Sequence, residues 1–324
     1  MQTLVTTHDF SQLHNLSIAV RENVSLAPLT TMKVGGPADY FATVSRIDQL
    51  TALVRWCHAV NLPYLVLGGG SNILISDRGV RGLVIHNRCR AMRLEAPAAA
   101  QENAADDVTL FAESGAAMAG VARWSVRQGL TGLEWAVSVP GTIGGAVVGN
   151  AGAHGAEIKD NLQDALLLDE AGALQRVPLA AFDYAYRDSV LKRKQPLQAA
   201  FKPVVLSANF GLDRGDPAAI KARADAYLAH RRRTQPVEPS LGSTFVNPPD
   251  DFAGRLIEAA GLKGTRMGGV EVSRTHANFI INPGGAGSAT AADVMALIEF
   301  IRERVAATSG ILLEREIQLA GDWQ

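Results

Sequence analysis

Three observations predict an α+β protein with more than one domain. The chain has 324 residues, beyond the roughly 250–300 at which single hydrophobic cores stop growing. Strand-like runs and helical patterns are mixed along it without an internal repeat. Charge character changes at Asp213–Asp216, where the chain is expected to divide. This gives an extension at 1–24, an α+β region at 25–213 and an α+β C-terminal domain at 214–324.

The elements follow in order. Residues 1–24 read as a loosely attached extension. Phe41–Ser45 is a strand, and Ser45 with Asp48 is a possible capping box for a helix whose apolar face is Ile47, Leu50, Val54 and Cys57. Leu62–Leu67 and Leu83–His86 are further strands, making a βαβ-like first unit. Glu95–Asp107 is rich in Ala, Asp and Glu and reads as an exposed connection. Val108–Ala112 is a strand, followed by a helix with Met118, Val121, Ala122 and Val126 on one face that ends at Gly129. Asp164–Leu179 reads as a hairpin and Phe201–Phe210 as a strand. Pro217–Arg233 and Asp251–Ala260 are helical, and Gly269–Val272 with Asn278–Asn282 make a strand pair. Thr290 and Asp293 form a second capping box. They open a helix with Val294, Leu297, Ile298, Ile301 and Val305 on one face. Ile311–Leu319 reads as a last strand, with Glu314 and Glu316 on one face by its period of two.

Composition excludes several classes. A content of 47% hydrophobic and 19% charged residues is that of a folded globular chain, not a disordered one. A net charge of -1 argues against a dedicated nucleic-acid binder, which needs many phosphate-neutralising cations. Two cysteines make neither a disulfide framework nor a cysteine-based metal site, so both read as reduced thiols of a cytoplasmic protein. The N-terminus has no apolar run preceded by basic residues, as a secretory signal would. Trp135–Ala156 carries no charge, but Pro140, Asn150 and six glycines make it a tightly turned loop and a poor membrane span.

Glycine supplies the first chemical signal. The chain has 31, where average usage of about 7% gives roughly 23. Gly68, Gly69 and Gly70, followed by Ser71 and Asn72, come directly after a strand. Such a run aims backbone N–H groups into one concavity with no Cβ in the way, as either an anion cradle or a tight surface turn. The second cluster holds six glycines between Gly141 and Gly155. It suits backbone wrapped on a planar or polyphosphate ligand, or close packing of helix on strand. Two such segments in one region point to a dinucleotide. Neither a G-x-G-x-x-G opening a helix nor a Walker A sequence is present, which favours FAD on a non-Rossmann fold.

Eight strings then carry a family resemblance: Thr31–Pro37, Gly68–Asn72, Pro140–Gly155, Tyr186–Ser189, Gly242–Pro248, Ala260–Gly264, His276–Phe279 and Leu313–Glu316. In this order they resemble the UDP-N-acetylenolpyruvoylglucosamine reductases, over roughly residues 25–321. The short segment between Arg187 and Arg231 resembles their type II subgroup, which lacks an inserted substrate-closing loop. The resemblance implies an FAD-binding region of two α+β subdomains, about 25–92 and 93–213, of the PCMH-type flavin fold. A substrate-binding domain at 214–324 follows. It also implies NADPH as co-substrate and UDP-N-acetylglucosamine enolpyruvate as substrate. Gly68, Gly69, Gly70, Ser71, Asn72, Pro140, Gly141, Gly144, Gly145, Asn150, Ala151 and Gly152 would then contact FAD.

The implied reaction sends hydride from reduced flavin N5 to the vinyl carbon C3, and negative charge develops over C2 and the adjoining carboxylate. That charge needs a fixed cation and C2 needs a proton donor. Arg187 suits the first role, since a guanidinium matches a carboxylate and keeps its proton. Ser243 matches the family's proton donor, and Glu316 its third catalytic group. Taken alone, these residues would read as a surface ion pair, a turn and a solvated glutamate.

The sequence departs from the family at the diphosphate end of the substrate, with Val246 and Thr234 where many members have cations. Arg231, Arg232, Arg233, Lys263 and Arg266 are candidates, of which Arg233 and Lys263, with Asn247 and His276, are the expected substrate contacts. No metal is expected, because His154 and His276 have no Cys, Asp or Glu at ligand spacing. Two rivals remain at this stage. A flavin oxidase of the same fold would often carry a flavin-linking His in its glycine loop, and none lies within Gly68–Asn72. A non-catalytic flavin or nucleotide-sugar binder would need none of Arg187, Ser243 and Glu316.

Overall fold

The computed structural model describes residues 9–95, 107–193 and 202–323. The exposed connection expected over 96–106, the start of the extension at 1–8 and the expected strand start at Phe201 lie outside them.

The first unit is a four-stranded sheet in the order Val20–Ser25, Pro37–Val44, Val80–Asn87, Tyr64–Leu67. The first pair is antiparallel and the others are parallel. The helix Ile47–Ala59 crosses between Pro37–Val44 and Tyr64–Leu67 and buries Leu50, Leu53, Val54 and Cys57, as the i, i+3, i+7 spacing predicts. Its capping differs from expectation by one residue. Arg46 is the N-cap, and the Gln49 side chain, not Asp48, accepts the Ser45 N–H at 3.0 Å. Asp48 is drawn instead to the Arg46 guanidinium, 2.8 Å away. Residues 9–24 are not loosely attached. Leu13 and Ile18 are buried, the Phe10 ring packs on Tyr40 and Trp56 at 4.9 and 5.1 Å, and Val20–Ser25 is the sheet's edge strand.

The second unit is an antiparallel sheet in the order Leu174–Pro178, Leu162–Leu168, Val204–Arg214, Asp107–Glu113, Met92–Glu95, with Leu130–Thr131 added beside Val204–Arg214. The helices Met118–Arg127 and Ile143–Gly149 close its core, which includes Leu110, Val121, Ile143, Val147, Phe182 and Phe210. Ile143–Gly149 corrects the reading of the uncharged stretch as loop throughout. Glycine disfavours a helix by about 1 kcal/mol per residue, and here the burial of Ile143 and Val147 offsets that cost. The helix Pro217–Thr234 also belongs with this core, not with the C-terminal domain on the far side of Asp213–Asp216. Ala224 is buried in the core, with Tyr227 and Leu228 packed against it, and Arg223 pairs with the buried Glu134 at 2.7 Å.

The third unit is an antiparallel sheet in the order Ser240–Ser243, Phe279–Ile281, Val270–Val272, Arg266–Met267. It packs on the helices Ala253–Ala259 and Ala291–Ser309. The latter buries Val294, Leu297, Ile298, Ile301 and Val305, each large apolar side chain contributing roughly 1.5–3 kcal/mol. Its capping box is present: Thr290 Oγ1 accepts the Asp293 N–H at 3.0 Å, and Asp293 returns the bond to the Thr290 N–H at 2.9 Å. The expected last strand shrinks to Gln318–Ala320, parallel to Ile73–Ile75 of the first unit. Ahead of it, the backbone bonds Val246 N–H to Glu314 O and Glu316 N–H to Thr244 O, both 2.9 Å. These hold the chain along Thr244–Val246 without making a regular strand. Consequently Glu314 is exposed while Glu316 is partly buried.

First and third units share a core, since Met32, Val34 and Leu74 pack with Phe245, Leu297 and Ile301. Asp77 adds a polar tie. Its carboxylate accepts the N–H groups of Ala291 and Ala292 at 2.8 and 2.9 Å, satisfying two donors in the first turn of Ala291–Ser309. Asp77→Ala should cost about 1–2 kcal/mol, read as a lower denaturant midpoint at unchanged slope.

Candidate active site

The three units meet around a cavity of about 570 Å³, in the size range of cofactor sites. One wall is the loop leaving Tyr64–Leu67, Gly68 to Asn72, and the facing wall is Pro140 to Thr142 with the start of Ile143–Gly149. The two walls touch backbone to backbone at Gly69 and Gly141, with the Thr142 side chain against Gly68 and the Ser71 side chain against Gly141. A Cβ on Gly69 would lie 3.0 Å from Gly141 Cα. Gly70 has φ +61°, and a Cβ there would lie 2.3 Å from the carbonyl oxygen of Leu29.

Of the expected cofactor contacts, Gly68, Gly69, Gly70, Ser71, Asn72, Pro140, Gly141, Gly144, Gly145, Ala151 and Gly152 line this cavity. Asn150 does not. It is fully buried, and its Nδ2 donates to Glu157 Oε2 at 2.9 Å and Ala185 O at 3.0 Å, while its Oδ1 accepts the Lys159 N–H at 3.1 Å. A side chain committed in this way fixes the turn Ala185–Asp188 rather than a ligand.

That turn presents Arg187, which has φ +55°, an uncommon conformation for a residue with a Cβ. Arg187 Nη2 donates to Gly152 O at 2.6 Å. Its guanidinium carbon lies 4.8 Å from the centre of the Tyr186 ring, and its Nε is 3.4 Å from Glu316 Oε1. Asp188 is not its partner and pairs with Arg193 instead. Both members of the Arg187–Glu316 pair are largely buried, at 20% and 16% side-chain exposure. Burial raises the Glu316 carboxyl above the ordinary glutamate range, while Arg187 and Lys192 pull it down. Ser243 ends the strand Ser240–Ser243 and lines the same cavity. Its neighbour Thr244 accepts the Glu316 N–H, so the serine and the glutamate are held on adjacent strands of backbone. The three catalytic candidates therefore converge from residues far apart in the chain.

The expected substrate contacts fare differently. Asn247 Nδ2 donates to the Tyr186 hydroxyl at 3.2 Å and its Oδ1 accepts the Ala253 N–H at 3.0 Å. It thus adjoins Arg187 through Tyr186 without lining the cavity. Arg233 is exposed and Lys263 pairs with Glu258 at 2.7 Å. His276 Nδ1 accepts the Asn278 N–H at 3.2 Å, its ring packs 4.8 Å from Phe279, and burial lowers its pKa. None of these three lines the cavity. Arg231 does, with Nη1 donating to Ser138 O at 2.7 Å. The signal was available, because Arg231 continues the inward stripe Ala224, Tyr227, Leu228 at helical spacing, and Arg233 sits two residues further round.

Sequence reasoning missed Lys202 and Gln235. Lys202 Nζ and Gln235 Oε1 are buried polar atoms without a hydrogen-bond partner among the described residues, and both line the cavity. A donor and an acceptor left unpaired on a glycine-walled cavity fit a polar ligand that both accepts and donates hydrogen bonds. Cys57 and Cys89 are buried thiols pushed up to about 12 by burial and lie outside the cavity lining. Gly70→Ala should drive the loop off Leu29 and yield protein with much less bound flavin, read as the flavin-to-protein absorbance ratio after purification. An unchanged far-ultraviolet circular dichroism spectrum would show that the fold persists.

The chain is similar to known proteins along most of its length. Residues 38–178 match the FAD binding domain family, and residues 235–320 match the C-terminal domain of UDP-N-acetylenolpyruvoylglucosamine reductase. The chain is 43% identical over 295 residues to the UDP-N-acetylenolpyruvoylglucosamine reductase of Heliobacterium modesticaldum, covering 90% of this chain and 88% of that one. It is 42% identical over 305 residues to that of Chloroflexus aggregans, covering 94% and 99%. The crystal structure of the Thermus caldophilus reductase superposes with a TM-score of 0.74 at 31% identity, covering 94% of this chain and 99% of that one. The chain belongs to the UDP-N-acetylenolpyruvoylglucosamine reductase family, FAD-dependent oxidoreductases of peptidoglycan precursor synthesis.

Proposed function

We propose that this cavity reduces the enolpyruvyl ether of UDP-N-acetylglucosamine enolpyruvate to the lactyl ether of UDP-N-acetylmuramate, with NADPH as reductant. The observation that carries the reading is the meeting of Arg187, Glu316 and Ser243 on the wall of the FAD cavity. FAD held between the Gly68–Asn72 and Pro140–Gly145 walls would supply the redox chemistry that links NADPH to reduction of the substrate's C3.

The chain's own residues handle the charge and the proton. Hydride arrival at C3 leaves negative charge over C2 and the carboxylate. Arg187 is a fixed cation there, held by Gly152 O and the Tyr186 ring before any ligand arrives. Preorganisation of this kind is worth most where water is excluded. Glu316 completes the electrostatic set, since its burial and its Arg187 contact keep the guanidinium in one orientation. Ser243 delivers the proton to C2. A serine hydroxyl is a weak acid, so the reaction relies on the enediolate-like charge to draw the proton across.

NADPH and the nucleotide sugar use one cleft in turn, which gives ping-pong kinetics. Arg231 and Lys192, both on the cavity wall, are the cations we assign to the substrate's diphosphate in place of side chains at Thr234 and Val246. We assign the enzyme to the cytoplasm, where NADPH and precursor nucleotides are found. Among the described residues no helix is long and apolar enough to cross a membrane.

Ser243→Ala should retain NADPH-dependent bleaching of the flavin yet lose about 10²–10⁴-fold in turnover with the enolpyruvyl nucleotide sugar. Normal turnover would remove Ser243 from the mechanism. Arg187→Lys keeps the charge but loses the planar fork, and should lower kcat by about 10²-fold or more with flavin content unchanged.

A further inference from the structure

Lys202 is the cavity residue whose chemistry remains unexplained. Its Nζ is buried and has no hydrogen-bond partner among the described residues. Burial alone pushes the ammonium down to about 8. Leaving a buried cation unpaired is costly, so its natural partner is a ligand. The backbone there is fixed: the Tyr64 hydroxyl donates to Lys202 O at 3.0 Å and accepts the Lys202 N–H at 3.4 Å. His58 Nε2 lies 3.1 Å from the same hydroxyl.

The position of Lys202 identifies the part of the ligand it faces. Tyr64 begins the strand whose other end becomes the Gly68–Asn72 loop. At about 3.3 Å per residue the strand separates Tyr64 from Gly68 by roughly 13 Å. Beyond the loop, Asn72 Nδ2 donates to Glu316 O at 3.4 Å, and Gln318 N–H donates to Asn72 O at 3.0 Å. The order along the cavity is therefore Lys202, glycine loop, catalytic glutamate. A diphosphate seated on the loop, with its flavin toward Glu316, directs the adenosine half toward Lys202.

We propose that Lys202 anchors the adenosine half of the cofactor, donating from its buried ammonium to a ring nitrogen or ribose oxygen, and thereby selects FAD over FMN. FMN ends at its single phosphate and cannot reach this residue. The inference rests on the FAD reading of the cavity but not on the reaction proposed for it, so binding to the flavin-free protein tests it without NADPH or substrate.

Apo-protein stripped of flavin is titrated with FAD and with FMN, following flavin fluorescence, for the wild type, Lys202→Met and Lys202→Arg. Lys202→Met should weaken FAD by about 10- to 100-fold, the range for losing a charged hydrogen bond, and leave FMN unchanged. Lys202→Arg should restore most of the FAD affinity. The flavin-free Lys202→Met protein should melt no lower than wild type, because the unpaired ammonium stabilises nothing until the ligand arrives. Equal weakening of FAD and FMN, unchanged FAD affinity, or a lower melting temperature of the apo-protein with loss of both flavins would each overturn the assignment. Failure of wild-type apo-protein to take up FAD would instead defeat the cofactor reading itself.

Discussion

The structure depends on the close approach of two lengths of backbone, Gly68–Asn72 and Pro140–Thr142. Gly69 and Gly141 approach so closely that one added Cβ would lie 3.0 Å from the opposite Cα. This contact brings the first and second units together and lets the two glycine-rich segments form facing walls of the cavity. Part of the glycine surplus meets the requirement of this seam: Gly68, Gly69 and Gly141 each face the opposite wall, whereas Gly149 and Gly155 have open space around them.

Arg187, Glu316 and Ser243 are placed on the same frame by a relay of positional bonds. Asn150 ends the helix Ile143–Gly149 in a left-handed conformation, φ +44°, and holds Ala185 O. The turn so fixed forces Arg187 to a positive φ and points its guanidinium at Gly152 O and Glu316. From the other side, Glu316 is held by its backbone bond to Thr244, beside Ser243. Each group is thus aimed by a neighbour that does no chemistry. The cost is a buried ion pair, which adds little to stability but fixes a cation where the proposed reaction develops negative charge.

Much of this was legible in the sequence because it rests on local pattern. Apolar spacing gave Ile47–Ala59 and Ala291–Ser309 their buried faces, and Thr290 with Asp293 capped the latter as expected. The glycine clusters marked both walls of the cavity. Tertiary packing hid the rest. Ile143–Gly149 is a poor helix by composition and forms because Ile143 and Val147 are buried. Residues 9–24 read as a loose extension, yet Leu13, Ile18 and the Phe10 ring seat them on the first sheet. Pro217–Thr234 follows a change of charge but packs backward onto the second sheet. Arg231 was not separable from Arg233 by residue type, only by helical phase. Lys202 belongs to no motif, and its importance lies in a burial that no sequence pattern records.

The central claim is that the FAD cavity and the Arg187–Glu316–Ser243 set form one reducing site for an enolpyruvyl ether. The most direct measurement is anaerobic. Enzyme reduced with stoichiometric NADPH is mixed with UDP-N-acetylglucosamine enolpyruvate while the visible flavin absorbance is followed. Oxidised flavin should return at a rate no slower than steady-state turnover, with UDP-N-acetylmuramate formed in equal amount. Flavin that stays bleached until oxygen is admitted would contradict that claim.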